Sequence, residues 1–307
     1  MSALASRVDD YLALRRAAGY RLDAHGRLLP QFVAYLDAVG ASTVTVEAAL
    51  AWAMSSTAAQ PQARTRLSIV RGFARYLQAF DPTAQVPPTN LLPDLRRRAA
   101  PYLYSEPEVT ALLAATTGLR PALRAATYRT LFGLVAVTGI RGGEALKLER
   151  DDVDLGVGLL TIRNSKFNKS RRLALHPSTV TALLDYERVR ATLCPRPQTP
   201  TFFVSVAGTS LSPNGMRTVF RQLVNEVGLQ PRSGSRPPRI HDLRHSFAVT
   251  TLTEWYRDGA DVAARLPLLS AYLGHSKPSS TYWYLQAAPE LLGLAAGRLE
   301  SPPRGRR

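Results

Sequence analysis

A proline-punctuated stretch constrains this chain most, because it interrupts patterning that is otherwise helical. Prolines at 82, 87, 88, 93 and 101 fix φ and remove backbone donors, so DPTAQVPPTN and the following LLPDLRRRAAPYLY cannot continue a helix. The stretch divides the chain into residues 1–81, a linker over 82–103, and a second unit over 104–307. A length of 307 residues is enough for two cores.

Before the break, apolar residues recur at three- and four-residue spacing. Val8, Tyr11, Leu12, Leu14 and Ala18 predict a helix over residues 5–22, and three more are predicted over Leu28–Val39, Thr45–Ser56 and Pro61–Phe80. In the last, Leu67, Val70, Phe73, Ala74 and Leu77 form the apolar stripe, while Arg64, Arg71 and Arg75 remain for another surface. The first unit therefore reads as a small bundle of four helices with one basic side. The linker carries Arg96, Arg97 and Arg98, which suit a duplex backbone and equally an ordinary polar connection.

After the break, Ser105 followed by Glu108 has the form of a capping box for a helix through Leu113. A long apolar helix is predicted over Ala122–Val137, a short one over Gly142–Leu148, then strands Leu159–Arg163 and Arg171–Leu175 joined by a polar turn. Further helices fit Ser178–Ala191, Ser212–Val227, His241–Gly259 and Arg265–Leu273, with a last one over Pro289–Leu299. The fold class is mainly α: a helical front unit and a mixed α/β unit with a small antiparallel sheet.

Composition narrows the partners. The formal net charge is +16 and 35 of the 39 basic residues are arginine, a balance that favours a polyanion because each phosphate neutralised releases counterions. Planar guanidinium groups also suit bidentate contact with phosphate and guanine. Cys194 is the only cysteine, so neither an internal disulfide nor a cysteine-rich zinc site can form. The opening MSALASRVDDYLALRRAAGY meets charge too early for a signal peptide, and no run of eighteen apolar residues occurs. The expectation is a cytoplasmic, nucleoid-associated protein that binds no membrane.

Several residues could carry chemistry on a phosphodiester. In HDLRH, His241 and Arg244 lie one helical turn apart and near a helix start, where unpaired backbone donors favour an anion. Arg141 follows a buried-looking helix, where a charge needs a partner or a cleft. Arg141 and Arg244 together could clamp nonbridging oxygens as charge builds. Lys166 lies between the two strands and could protonate a leaving oxygen, with Lys169 as a competitor. Tyr284 could attack phosphorus and form a reversible phosphotyrosyl ester, with Tyr282 as a competitor, and His275 could donate to a phosphate oxygen. Asp151, Asp152 and Asp154 suit capping and solvation better than a metal. No metal or other cofactor is expected.

The chain resembles the tyrosine recombinase, or phage-type integrase, family from about Tyr104 to Gln286. TGIRGGEALKLERDDVDL is similar to the family's first arginine box, which aligns Arg141 with the catalytic arginine and Glu144 with its acidic companion. SKFNKSRRLAL resembles the hairpin bearing the catalytic lysine, at Lys166. HDLRHSFA resembles the second box, with His241 and Arg244. LGHSKPSSTYWY resembles the last, with His275 and a nucleophile nine residues later at Tyr284, a spacing that selects it over Tyr282. The chain departs from the common pattern after Tyr284, where Leu285 and Gln286 stand in place of a nearby histidine. Trp255–Pro267 is longer than in compact host recombinases and resembles integrases of mobile elements.

The resemblance implies a core-binding domain and a catalytic domain clamped around double-stranded DNA with paired inverted half-sites. It also implies a homotetramer on synapsed DNA, accessory proteins in some settings, and strand exchange through 3′-phosphotyrosyl ends. Arg141, Arg244 and His275 would hold the phosphate, Lys166 would protonate the 5′ oxygen, and His241 would assist proton transfer near the tyrosine. Arg64, Arg71, Arg75, Arg96, Arg97, Arg98 and Lys169 are the candidates for DNA contact. The competing readings are a type IB topoisomerase-like relaxation activity and an architectural DNA-binding protein with a degenerate site.

Overall fold

The computed structural model describes residues 3–20, 22–55, 60–92, 100–163, 170–232, 235–275, 281–282 and 284. It separates into two compact units, Met1–Arg97 and Arg98–Arg307. Lys166, Lys169, Arg96, Arg97, Arg98 and the helix expected over Pro289–Leu299 lie outside the described residues.

In the first unit, α1 (Ala3–Ala17), α2 (Asp23–Ala38), α3 (Val46–Met54) and α4 (Gln60–Leu77) form the expected four-helix bundle. Its core gathers Leu29, Phe32, Leu36, Val70 and Phe73, all fully buried. The expected first helix ran to residue 22 but ends sooner. Gly19 takes a left-handed φ of 86°, and the Tyr20 amide turns back to the Arg15 carbonyl at 3.2 Å, which closes the last turn. The second helix starts earlier than expected, at Asp23, and Pro30 lies inside it. A missing amide at one position is outweighed by the burial of Leu28, Leu29, Phe32, Val33 and Leu36 along the same face.

The proline-rich chain after α4 is held by side chains. Arg71 donates through Nε to the Pro87 carbonyl and through Nη2 to that of Pro88, both at 2.6 Å. Arg64 donates to the Leu92 carbonyl at 2.9 Å. The Gln85 amide reaches the Val44 carbonyl at 2.8 Å. Arg75 is exposed on the same helix.

In the second unit, α5 (Glu106–Ala115) opens with the full Ser105/Glu108 capping box. Then follow α6 (Ala122–Thr138), α7 (Gly142–Ala145), β1 (Val153–Asp154), β2 (Leu159–Ile162), β3 (Arg171–Ala174), α8 (Pro177–Leu193), α9 (Pro213–Glu226), α10 (Ile240–Arg257) and α11 (Val262–Leu273). The sheet is antiparallel in the order β1-β2-β3, with Leu160 opposite both Val153 and Leu173. Strand β1 was not expected, since two residues carry no readable alternation. Leu160 and Ile162 point inward against Leu131, Ile140 and Ala145. Asp152 is buried, accepts the Glu149 amide at 3.0 Å and pairs with Arg163, while Asp154 caps a turn through the Gly156 and Val157 amides.

The expected Arg265–Leu273 helix also starts earlier. Asp261 accepts the Ala264 amide at 3.0 Å and caps α11, whose course continues through Pro267. Trp255–Pro267 is thus the end of α10, a turn with Gly259 at φ 73°, and the first half of α11.

Candidate active site

The site is assembled where α6, α10, α11 and β3 end or begin. Helix α6 stops at Gly139, whose φ of 61° is open to glycine and strained for other residues. A β-carbon there would also lie 2.5 Å from the Phe247 ring. This turn directs Ile140 into the core and delivers Arg141 to the start of α7.

Three guanidinium groups then meet the last carbonyls of α11. Arg171 donates through Nε to Tyr272 at 2.7 Å, Arg244 through Nη2 to Leu273 at 2.6 Å, and Arg141 through Nη2 to Gly274 at 2.9 Å. Carbonyls at a helix end lack intrahelical partners and carry partial negative charge, so cations belong there. Arg244 is 1% exposed and also donates to the Gly139 carbonyl at 2.8 Å. Burial, with the nearby Arg141 charge, lowers its pKa to about 10, which leaves it a cation at neutral pH.

Glu144 holds two of these arginines. Its carboxylate accepts Arg141 Nη1 at 2.7 Å, the Arg141 amide at 2.9 Å, and Arg171 Nη2 at 2.8 Å. Burial opposes ionisation of this carboxyl, but the Arg171 hydrogen bond, the Arg141 amide and both guanidinium charges prevail and bring its pKa to about 2.

His275 follows directly, its amide bonded to the Ser270 carbonyl at 2.9 Å and its Nδ1 2.8 Å from the Thr281 hydroxyl. Burial and the charges of Arg244, Arg141 and Arg171 lower its pKa to about 4, so the ring is neutral at pH 7. A hydroxyl donated to Nδ1 leaves Nε2–H free to donate elsewhere. His241 stands one turn before Arg244, and burial together with the Arg244 charge shifts its pKa down. Tyr284 is 2% exposed, packed with Ala248, Leu252, Leu269 and Leu273, its ring centroid 6.0 Å from that of His275. Tyr282 is 52% exposed. Among the described residues, no three His, Cys, Asp or Glu side chains group as a metal site.

Residues 103–290 match the Phage integrase family. The chain is 42% identical to the putative integrase/recombinase y4rB of Sinorhizobium fredii (strain NBRC 101917 / NGR234), over 98% of both chains. The chain belongs to the tyrosine recombinases of the phage integrase family. Its activity is site-specific DNA recombination. Solved structures agree in fold. The recombinase superposes on the Tn1549 transposon integrase in complex with transposon right end DNA with a TM-score of 0.65, at 15% identity over 96% of this chain and 99% of that one. On a lambda integrase tetramer bound to a Holliday junction the TM-score is 0.58, at 16% identity over 90% and 78%.

Of the residues singled out from sequence, Arg141, Glu144, Arg244, His275 and Tyr284 come together in the recombinase, with His241 on the next turn of α10. Arg64, Arg71 and Arg75 lie in the first unit. Sequence reasoning missed two members of the cluster. Arg171 shares the inward face of β3 with buried Leu173, and a charge on a core-facing position calls for a buried partner. His245 follows His241 by one turn, with ring centroids 4.7 Å apart, and its Nδ1 stands 3.3 Å from the Tyr284 hydroxyl.

Proposed function

We propose that this recombinase cuts one strand of duplex DNA by in-line attack of the Tyr284 phenol on a phosphodiester, leaving a 3′-phosphotyrosyl end and a free 5′-hydroxyl. Arg141 and Arg244 hold the nonbridging oxygens, and their charge counts most when the phosphorus is pentacoordinate. Each already spends part of its fork on an α11 carbonyl, which fixes the plane in which its other N–H groups meet a phosphate. Glu144 orients Arg141. Neutral His275 donates from Nε2, His241 assists proton movement beside the nucleophile, and Lys166, on the segment between β2 and β3, protonates the leaving oxygen.

The observation that carries this reading is the convergence of Arg141 and Arg244 on the carbonyls of Leu273 and Gly274, immediately before His275 and against the Tyr284 ring. A groove of about 790 Å³ lined by Asn214, Arg217, Arg221, Arg239 and His241 opens beside it and suits a phosphate backbone. The substrate is double-stranded DNA with paired inverted half-sites; residues 1–81 supply a core-binding domain and residues 104–307 a catalytic domain, and the segment over 82–103 joins them. Four protomers assemble on synapsed DNA. The fold shared with the Tn1549 integrase and the lambda integrase tetramer supports both assembly and a mobile-element role, in a cytoplasmic protein associated with the nucleoid.

The test uses a suicide duplex nicked beside the cleavage position, taken from DNA flanking the gene. The expected result is a covalent protein–DNA complex that Tyr284→Phe abolishes. Equal complex formation by that variant would overturn the assignment.

A further inference from the structure

A phenol is a poor nucleophile at neutral pH, since with a pKa of about 10 only about one molecule in a thousand is ionised at pH 7. A group that accepts the proton as the oxygen attacks phosphorus removes that handicap. Resting on the reading of Tyr284 as nucleophile, we propose that His245 is this acceptor: a catalytic base whose Nδ1 faces the phenol oxygen.

The geometry comes from α10. His241, Arg244, His245 and Ala248 follow one another along one side of the helix. Arg244 turns inward to the Gly139 and Leu273 carbonyls, while His245 turns to Tyr284 with Nδ1 3.3 Å from the hydroxyl and ring centroids 5.4 Å apart. The other imidazoles are placed for other tasks. His275 lies nearly parallel to the Tyr284 ring, at 24°, so it offers a face rather than a nitrogen, and its Nδ1 is engaged with Thr281. His241 meets the His245 ring edge to face, with centroids 4.7 Å apart and planes at 85°. Glu144 is occupied by Arg141 and Arg171.

In the Nε2–H tautomer the Nδ1 lone pair of His245 points at the phenol. As attack proceeds, the proton moves from Tyr284 to Nδ1, the phenol oxygen bonds to phosphorus, and the bond to the 5′ oxygen breaks with its electron pair. That oxygen takes its proton from a separate donor, Lys166 in the reading above. Resealing runs the same transfers backwards, and the imidazolium of His245 returns its proton to the departing phenolate. Among the described residues, the charged and titratable groups of the cluster are Arg239 at the start of α10, His241, Asp242 and Arg244 on α10, Arg141 after α6, Arg171 on β3, Glu144 on α7, His275 after α11 and Tyr284 itself.

The experiment measures the rate of covalent complex formation by the full-length protein on the nicked suicide duplex between about pH 6 and 10, spanning the ordinary imidazole and phenol pKa values. Wild type, Tyr284→Phe, His245→Ala and His245→Gln are compared. Both His245 variants should cleave about 10²- to 10⁴-fold more slowly at pH 7. Their rates should then climb about tenfold per pH unit towards the phenol pKa, as hydroxide does the work of the base. Difluorotyrosine at position 284, a more acidic phenol, should recover most of the loss at pH 7. Glutamine keeps a hydrogen-bonding group beside the phenol, so wild-type rates in His245→Gln would reduce His245 to a tether and overturn the proposal. A uniform loss at every pH, or an undiminished rate in His245→Ala, would overturn it too. Unimpaired cleavage by Tyr284→Phe would instead remove the nucleophile assignment on which it stands.

Discussion

The guanidinium of Arg171 fills the space that a side chain on Gly274 would need, with Nη1 2.7 Å from the position of an added β-carbon. Gly274 also holds a left-handed φ of 67°. Gly274→Ala should therefore destabilise the catalytic unit by more than the roughly 1–2 kcal/mol of left-handed strain alone. In an Arg171→Ala background the added penalty should fall back towards that value. A double-mutant cycle by chemical denaturation reads the difference, and simple additivity would show that the two residues do not contend for the same space.

The ion pairs of Glu144 predict a defined pH dependence. Its folded pKa of about 2 lies below its ordinary 4.5, so its contribution is complete above pH 4.5 and is lost as pH falls towards 2. A shift of that size corresponds to about 3 kcal/mol. Glu144→Gln should lower stability at pH 7 by about 2–4 kcal/mol, because two half-buried arginines lose their partner. Thermal denaturation of both proteins should show the gap narrowing between pH 4.5 and 2, and a gap constant across that window would contradict the assignment.

In the proposed mechanism the electrostatic work on the phosphate falls to the guanidinium groups of Arg141 and Arg244. Cleavage of the suicide duplex should therefore persist in EDTA at a rate within about twofold of the untreated protein, since arginines replace the Lewis acid. Loss of cleavage that Mg²⁺ restores would contradict it.

Arg217 and Arg221 share the exposed side of α9 and line the groove beside His241. Replacing either with Ala should weaken DNA binding and reduce the slope of log K against log salt by about one. Fluorescence anisotropy across a salt series measures this, and an unchanged slope would place the backbone elsewhere.

What could be read from sequence was local. Prolines 82, 87, 88 and 101 stand outside any helix, and one-turn spacing set His241 and Arg244 on successive turns of α10. Ser105 and Glu108 formed the cap their spacing requires. Helices α2 and α11 both start earlier than their apolar patterns predicted, and burial of neighbouring leucines carries each of them past an internal proline, Pro30 and Pro267. Arg171 was harder still. Arg172 beside it is chemically identical; alternation with Leu173 puts Arg171 on the inward face, but the partners that give it a role, Glu144 and Tyr272, lie 27 and 101 residues away. His245 carried a usable signal in its four-residue offset from His241, but its partner lies 39 residues downstream.

The cations gathered at the end of α11 are deliberately out of balance. Arg141, Arg171 and Arg244 set three positive charges against the single negative charge of Glu144, while His275 contributes none. An intact phosphodiester supplies one compensating charge; the five-coordinate species formed as the tyrosine oxygen arrives supplies nearly two. The surplus therefore fits the fleeting species better than resting DNA, and most of its attraction is withheld until the strand begins to break.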